Sequence, residues 1–64
     1  MEFSQRKSTL WIASGNLGVF VITKRNGRWW GQYNGKMKSF NFPPTKSLKA
    51  AKEMCKENAY WEEE

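Results

Sequence analysis

Two Asn-Gly pairs, Asn26-Gly27 and Asn34-Gly35, bracket the aromatic-rich run Arg28-Trp29-Trp30-Gly31-Gln32-Tyr33. A type I′ turn needs positive φ at both central residues, which makes Asn-Gly the strongest short-range hairpin signal. The run between the pairs is therefore predicted as a central strand with an antiparallel neighbour on each side. In a chain of 64 residues, little else can be arranged independently of that strand.

The flanking residues fit around it. Residues 1–8 (MEFSQRKS) are polar and basic with an isolated Phe3, and are expected to form a flexible basic arm. Residues 9–14 (TLWIAS) are a short run of strand formers, closed by Gly15-Asn16 as a tight turn. Residues 17–24 (LGVFVITK) give the clearest strand, β-branched and aromatic between turns. Residues 36–42 (KMKSFNF) are predicted as the last strand, and Pro43-Pro44 ends the sheet because proline cannot donate to a ladder. Thr45 or Ser47 can cap a helix that runs to about Trp61, without Gly or Pro. Leu48, Ala51, Cys55 and Ala59 fall on one helical stripe, broadened by Met54 and Trp61. Glu62, Glu63 and Glu64 sit at the unfavourable end of the helix dipole and are expected to fray. The expected fold is α+β: a three- to four-stranded antiparallel β-meander packed on one C-terminal α-helix, as a single domain over residues 9–62.

Composition narrows the chemistry. The chain has no His and no Asp, and its only carboxylates are Glu2, Glu53, Glu57, Glu62, Glu63 and Glu64, near the two chain ends. Ser-His-Asp and Cys-His arrangements cannot be built, and metal sites lose their commonest ligands. Glu53 and Glu57 share a helix face that could seat a weak cation, but a solvated face accounts for them. No enzyme activity, cofactor or metal is expected. A lone cysteine, Cys55, precludes an internal disulfide and suits the reducing cytoplasm. It reads as a small buried hydrophobe. No apolar run approaches the ~20 residues of a membrane span, and the N-terminus lacks the apolar segment of a signal peptide. Eleven Lys and Arg against six acids give a net charge of +5. That charge favours an anionic partner, although a solvated basic surface explains it equally well.

Two-residue turns assign the faces. Across Asn26-Gly27, Arg25 pairs with Arg28, Thr23 with Trp30, Val21 with Gln32 and Val19 with Asn34. Trp11, Phe20, Ile22, Trp29, Tyr33, Phe40 and Phe42 then share the face beneath the helix. Lys36 and Lys38 would fall on that face too, unless a longer loop or bulge moves them. The other face divides in two. Leu10, Ile12, Val19 and Val21 make an apolar half. Arg28, Trp30, Gln32, Asn34, Met37, Ser39 and Asn41 make a polar half, with Lys24, Arg25, Lys36 and Lys38 around the loops. A fully solvated face should be polar throughout, so the apolar half calls for cover by the arm, a second copy or a partner. The polar half has the side chains that read base edges, and a sheet can enter the major groove. Trp30 could also be a plain cross-strand contact, and the basic turns could serve only to guard exposed edges.

Two resemblances attach to these residues. Gly18-Val19, Gly27-Arg28-Trp29, Gly35-Lys36, Phe42 and a Thr-initiated, Ala-bearing helix resemble the three-strand-plus-helix DNA-binding domains of plant ethylene-response factors. Related domains occur at the N-termini of tyrosine recombinases and in some phage homing endonucleases. That resemblance spans residues 17–59 and implies major-groove contacts from Arg25, Arg28, Trp30, Gln32 and Lys38. The sheet here has fewer arginines than that family's reading face, and its helix alanines are shifted. The second resemblance is to very short phage and prophage accessory proteins. It rests on Trp11, the strand Gly18-Val19-Phe20-Val21-Ile22, Trp29-Trp30, and the helix start Ser47-Leu48-Lys49-Ala50-Ala51-Lys52. It implies a mobile-element origin without fixed chemistry.

Together these features lead to the expectation of a small nucleic-acid-binding module, for duplex DNA, of phage or mobile-element type. Its contact residues are Lys24, Arg25, Arg28, Trp30, Gln32, Asn34, Lys36 and Lys38. The alternative is an inhibitor or adaptor that binds a host protein, or pairs as a homodimer, through Leu10, Ile12, Val19, Val21, Trp30 and Met37.

Overall fold

The computed structural model describes residues 2–59. The fold is α+β. Five antiparallel strands in sequential order form one open sheet: β1 (Ser4–Lys7), β2 (Leu10–Ser14), β3 (Gly18–Arg25), β4 (Arg28–Gly35) and β5 (Ser39–Asn41). Among the described residues one helix, α1 (Leu48–Glu57), crosses one face of β3 and β4.

The central hairpin follows the turn chemistry. Asn26 and Gly27 have φ of 54° and 74°, the pattern of a type I′ turn. Arg25 pairs with Arg28 and the ladder runs from there to Gly18 opposite Gly35. The outer hairpins turn elsewhere. Ser14 pairs with Val19 rather than Leu17, and Gly15 donates to the Gly18 carbonyl, so the turn lies at Asn16-Leu17. Tyr33 pairs with Phe40 rather than Lys36, and Gly35 donates to Lys38, so the last turn lies at Lys36-Met37. Asn34-Gly35 thus remains inside β4. Gly18 and Gly35 are needed for packing instead: a Cβ on either would come within 2.7 Å of the Tyr33 hydroxyl.

Both registers differ from the two-residue-loop expectation by an even number of residues. Side chains alternate with period two, so the faces are unchanged. Ala13, Phe20, Ile22, Tyr33 and Phe42 are buried beneath Ala51, Cys55 and Ala59. Phe20 lies 4.6 Å from Tyr33 and 6.1 Å from Phe42 between ring centroids, and Phe40 bridges Tyr33 (5.5 Å) and Phe42 (4.9 Å). Trp11, Trp29, Phe40, Leu48 and Met54 are half-buried at the margin of this cluster. The Lys52 ammonium caps the Trp11 ring at 4.0 Å.

Three elements differ from the sequence expectation. Residues 4–7 pair with β2 as a fifth strand, and Phe3 packs against the core. A bulge between Gln5 and Lys7 and a wholly exposed set of polar side chains blunt this edge. The last strand shrinks to three residues because its first residues are spent on the turn. The helix begins at Ser47, whose Oγ accepts from the Ala50 amide at 3.1 Å. It ends at Glu57, short of Trp61, because Asn58 turns its side-chain amide back onto the Met54 carbonyl at 2.9 Å. The expectations for Trp61, Glu62, Glu63 and Glu64 lie outside the described residues. No helix among the described residues is long and apolar enough to cross a membrane.

Candidate nucleic-acid interface

The face of the sheet opposite α1 contains no buried side chain. Its central row crosses all five strands as Ser4, Ile12, Val21, Gln32 and Asn41. On one side lies the row Lys7, Leu10, Thr23 and Trp30, with Arg25 opposite Arg28 beyond it. On the other side lies the row Ser14, Val19, Asn34 and Ser39. The alternation of β3 and β4 produces this surface directly: odd residues of β3 and even residues of β4 face out.

Of the expected polar half, Arg28, Trp30, Gln32, Asn34, Ser39 and Asn41 are brought together on this face. Trp30 is half-buried. Its indole N–H donates to the Arg25 carbonyl at 3.1 Å, and the Arg25 guanidinium lies 5.2 Å from its ring centroid. Gln32 donates to Asn34 Oδ1 at 3.4 Å, so neighbouring amides on β4 are linked along the strand. Asn41 lies beside Gln32, and Ser39 beside Asn34. A groove of about 410 Å³ runs beside Trp30, lined by Thr23, Arg25, Gly31, Gln32, Asn41 and Phe42. It opens because β5 stops at Asn41 and the chain leaves through Pro43-Pro44. Beyond that point the Phe42 amide donates to the Gly31 carbonyl at 2.8 Å, and reciprocal bonds between Trp29 and Thr45, each 2.9 Å, continue the ladder along β4.

Two residues fall elsewhere than expected. Lys24 projects from the helix side, with its ammonium 5.6 Å from the Trp29 ring centroid. Met37 leaves the polar half for the β4–β5 turn, where it is 80% exposed, and Lys36 and Lys38 stand beside it at the loop, as expected, off the helix face. The turn moved because Gly35 is committed to the ladder opposite Gly18. Lys7 belongs to the face and was missed, since an eight-residue polar arm carries no strand periodicity; the Ser8-Thr9 turn before Leu10 is the weak signal that marks it.

Charge is segregated on this surface. Between Glu2 and Glu53 the sequence contains no acidic residue. Lys7, Arg25 and Arg28 cluster at one end of the open face, and Lys36 and Lys38 stand at the other. Glu53 and Glu57 ride on α1, behind the sheet. The described residues contain no group of three or more His, Cys, Asp or Glu able to hold a metal ion. Cys55 is fully buried, and burial pushes its thiol up from an ordinary value of 9.0 to about 11, which makes it a poor nucleophile.

No protein-family model, curated protein or solved structure matches the chain.

Proposed function

We propose that this chain is a small non-catalytic module of phage or mobile-element type that binds duplex DNA in the cytoplasm through the open face of its sheet. One observation carries the proposal: a hydrogen-bonding sheet face flanked at both ends by cations and free of carboxylates. With the strands lying along the groove, Lys7, Arg25 and Arg28 would neutralise phosphates towards one end of the docked sheet, and the Lys36-Met37-Lys38 turn those towards the other. The major groove is ~12 Å wide. Strands are spaced ~4.8 Å apart, so three neighbouring strands fit and five do not. β3, β4 and β5 carry the polar side chains and are the three that would enter. The mobile-element origin is supported by the resemblance to short phage and prophage proteins.

The apolar block of Leu10, Ile12, Val19 and Val21 favours a second reading, a protein partner docked on β2 and β3. A homodimer stacked through this face is the weaker form of it. Cations stand at both ends of the face, so either stacking direction sets like charges together.

Tryptophan fluorescence during titration with a random-sequence duplex, at low and moderate salt, tests the proposal. Quenching that weakens steeply with salt, and weakens further in Trp30→Phe, is the expected result. An absence of any response at low salt would leave a protein partner as the function of the face. A hydrophobic protein interface would be indifferent to salt or strengthened by it.

A further inference from the structure

Two successive rows of the open face repeat one chemical pattern. In the first, Val21 of β3 stands beside Gln32 of β4 and Asn41 of β5. In the second, Val19 stands beside Asn34 and Ser39. Each row sets an aliphatic side chain next to an amide, on adjacent strands ~4.8 Å apart. The rows are two residues apart along the strand, or ~6.7 Å. Two base steps advance ~6.8 Å. Successive rows therefore match the spacing of alternate base pairs.

An A·T pair presents this same combination in the major groove. Adenine offers N7 as acceptor and N6 as donor, which an Asn or Gln amide meets with two bonds, and thymine adds the C5 methyl group, which takes an apolar contact. Guanine instead calls for Arg or Lys, and none stands in these two rows. The bond from Gln32 Nε2 to Asn34 Oδ1 links the two amides and uses one of two N–H groups on Gln32 and one of two lone pairs on Asn34, so each amide keeps a donor and an acceptor for a base. Among the described residues the Asn41 side chain makes no hydrogen bond, so a second amide is available beside Gln32.

We infer that the open face selects A·T pairs in the major groove, with Gln32 and Asn34 on adenine edges and Val21 and Val19 against thymine methyl groups. This selectivity rests on the duplex-DNA function proposed above, and it gives the aliphatic residues of β3 a role within that function.

Three duplexes of equal length test it by fluorescence titration at one salt concentration: one with an A·T core, one with a G·C core, and the A·T duplex with uracil in place of thymine. The A·T duplex is expected to bind about tenfold or more tightly than the G·C duplex. Uracil should remove several-fold of that preference, since it lacks only the methyl group. Gln32→Ala should lower affinity for the A·T duplex more than for the G·C duplex and so narrow the preference, and its thermal melt should match the parent because the side chain is exposed. Equal binding of A·T and G·C would overturn the selectivity and leave DNA binding standing. A preference indifferent to uracil and to Gln32→Ala would also overturn it, since minor-groove width then explains the preference. No binding to any duplex would overturn the DNA function itself, and the inference with it.

Discussion

Gly18 lies so close to Gly35 across the β3–β4 ladder that a Cβ on Gly18 would stand 2.6 Å from the Gly35 Cα. The Tyr33 ring occupies the space above both residues, and a Cβ on Gly35 would meet its Cε2 at 2.6 Å. The pair therefore anchors a fully buried aromatic and fixes where the sheet ends.

Gly18→Ala and Gly35→Ala should each destabilise the domain by about 1–3 kcal/mol through overpacking. That is a large share of what a chain of this length commands. Gly27→Ala provides the contrast. Nothing lies within 4 Å of its Cβ position, so only its φ of 74° opposes the change, at a cost of about 1 kcal/mol. Urea denaturation of the three variants measures the difference. The Tyr33 environment, followed by near-UV circular dichroism, should change only in the first two.

The adjacent tryptophans should separate cleanly. Trp29 packs against the core and its backbone holds Thr45 in place. Trp29→Ala should cost about 3 kcal/mol and leave the domain marginal. Trp30 contributes one bond to the Arg25 carbonyl and a cross-strand contact with Thr23. Trp30→Ala should cost about 1 kcal/mol. Its larger effect should be on nucleic-acid affinity. Equal losses of stability in the two variants would contradict the assignment of faces.

Arg28 is exposed and faces Arg25 across the ladder, with no carboxylate between β1 and β5. Arg28→Ala should weaken duplex binding equally for all sequences and reduce the slope of log K against log salt by about one. Thermal stability should stay the same or rise slightly, as two like charges are separated. Lys24→Ala should leave the slope unchanged, because Lys24 sits on the helix side over Trp29. Titrations at four or more salt concentrations give both slopes.

Cys55 imposes a pH dependence. Burial raises its pKa in the folded chain from 9.0 to about 11. Below pH 9 the thiol is protonated in both states, and its contribution to stability is complete. Between pH 9 and 11 the unfolded chain loses the proton while the folded chain keeps it, so stability falls with rising pH. The slope attributable to this thiol is about 1.4 kcal/mol per pH unit. Comparing wild type with Cys55→Ala over that range isolates the contribution of the thiol. A thiol reagent at pH 8 should modify the folded protein only at the rate of unfolding.

Much of the candidate site was legible because it depends on parity alone. Asn26-Gly27 sets the β3–β4 register, and alternation then places Val19, Val21, Arg28, Trp30, Gln32 and Asn34 on one face. Lys24 and Met37 were misplaced for different reasons. Lys24 is near the turn in sequence but has the wrong parity, and Met37 depends on where the last hairpin reverses.

The sequence by itself determined the class of fold, the helix stripe of Ala51, Cys55 and Ala59, and the division of the sheet into two faces. These follow from periodicities of 3.6 and two, which local chemistry writes along the chain. Only the tertiary structure decided the turns at Asn16-Leu17 and Lys36-Met37, the pairing of β1 and the helix stop at Asn58. An Asn-Gly pair favours the turn locally, but it does not forbid extension. At Asn34-Gly35 extension won, because a buried Tyr33 ring needed two opposed glycines beneath it, and that requirement joins residues far apart in the chain.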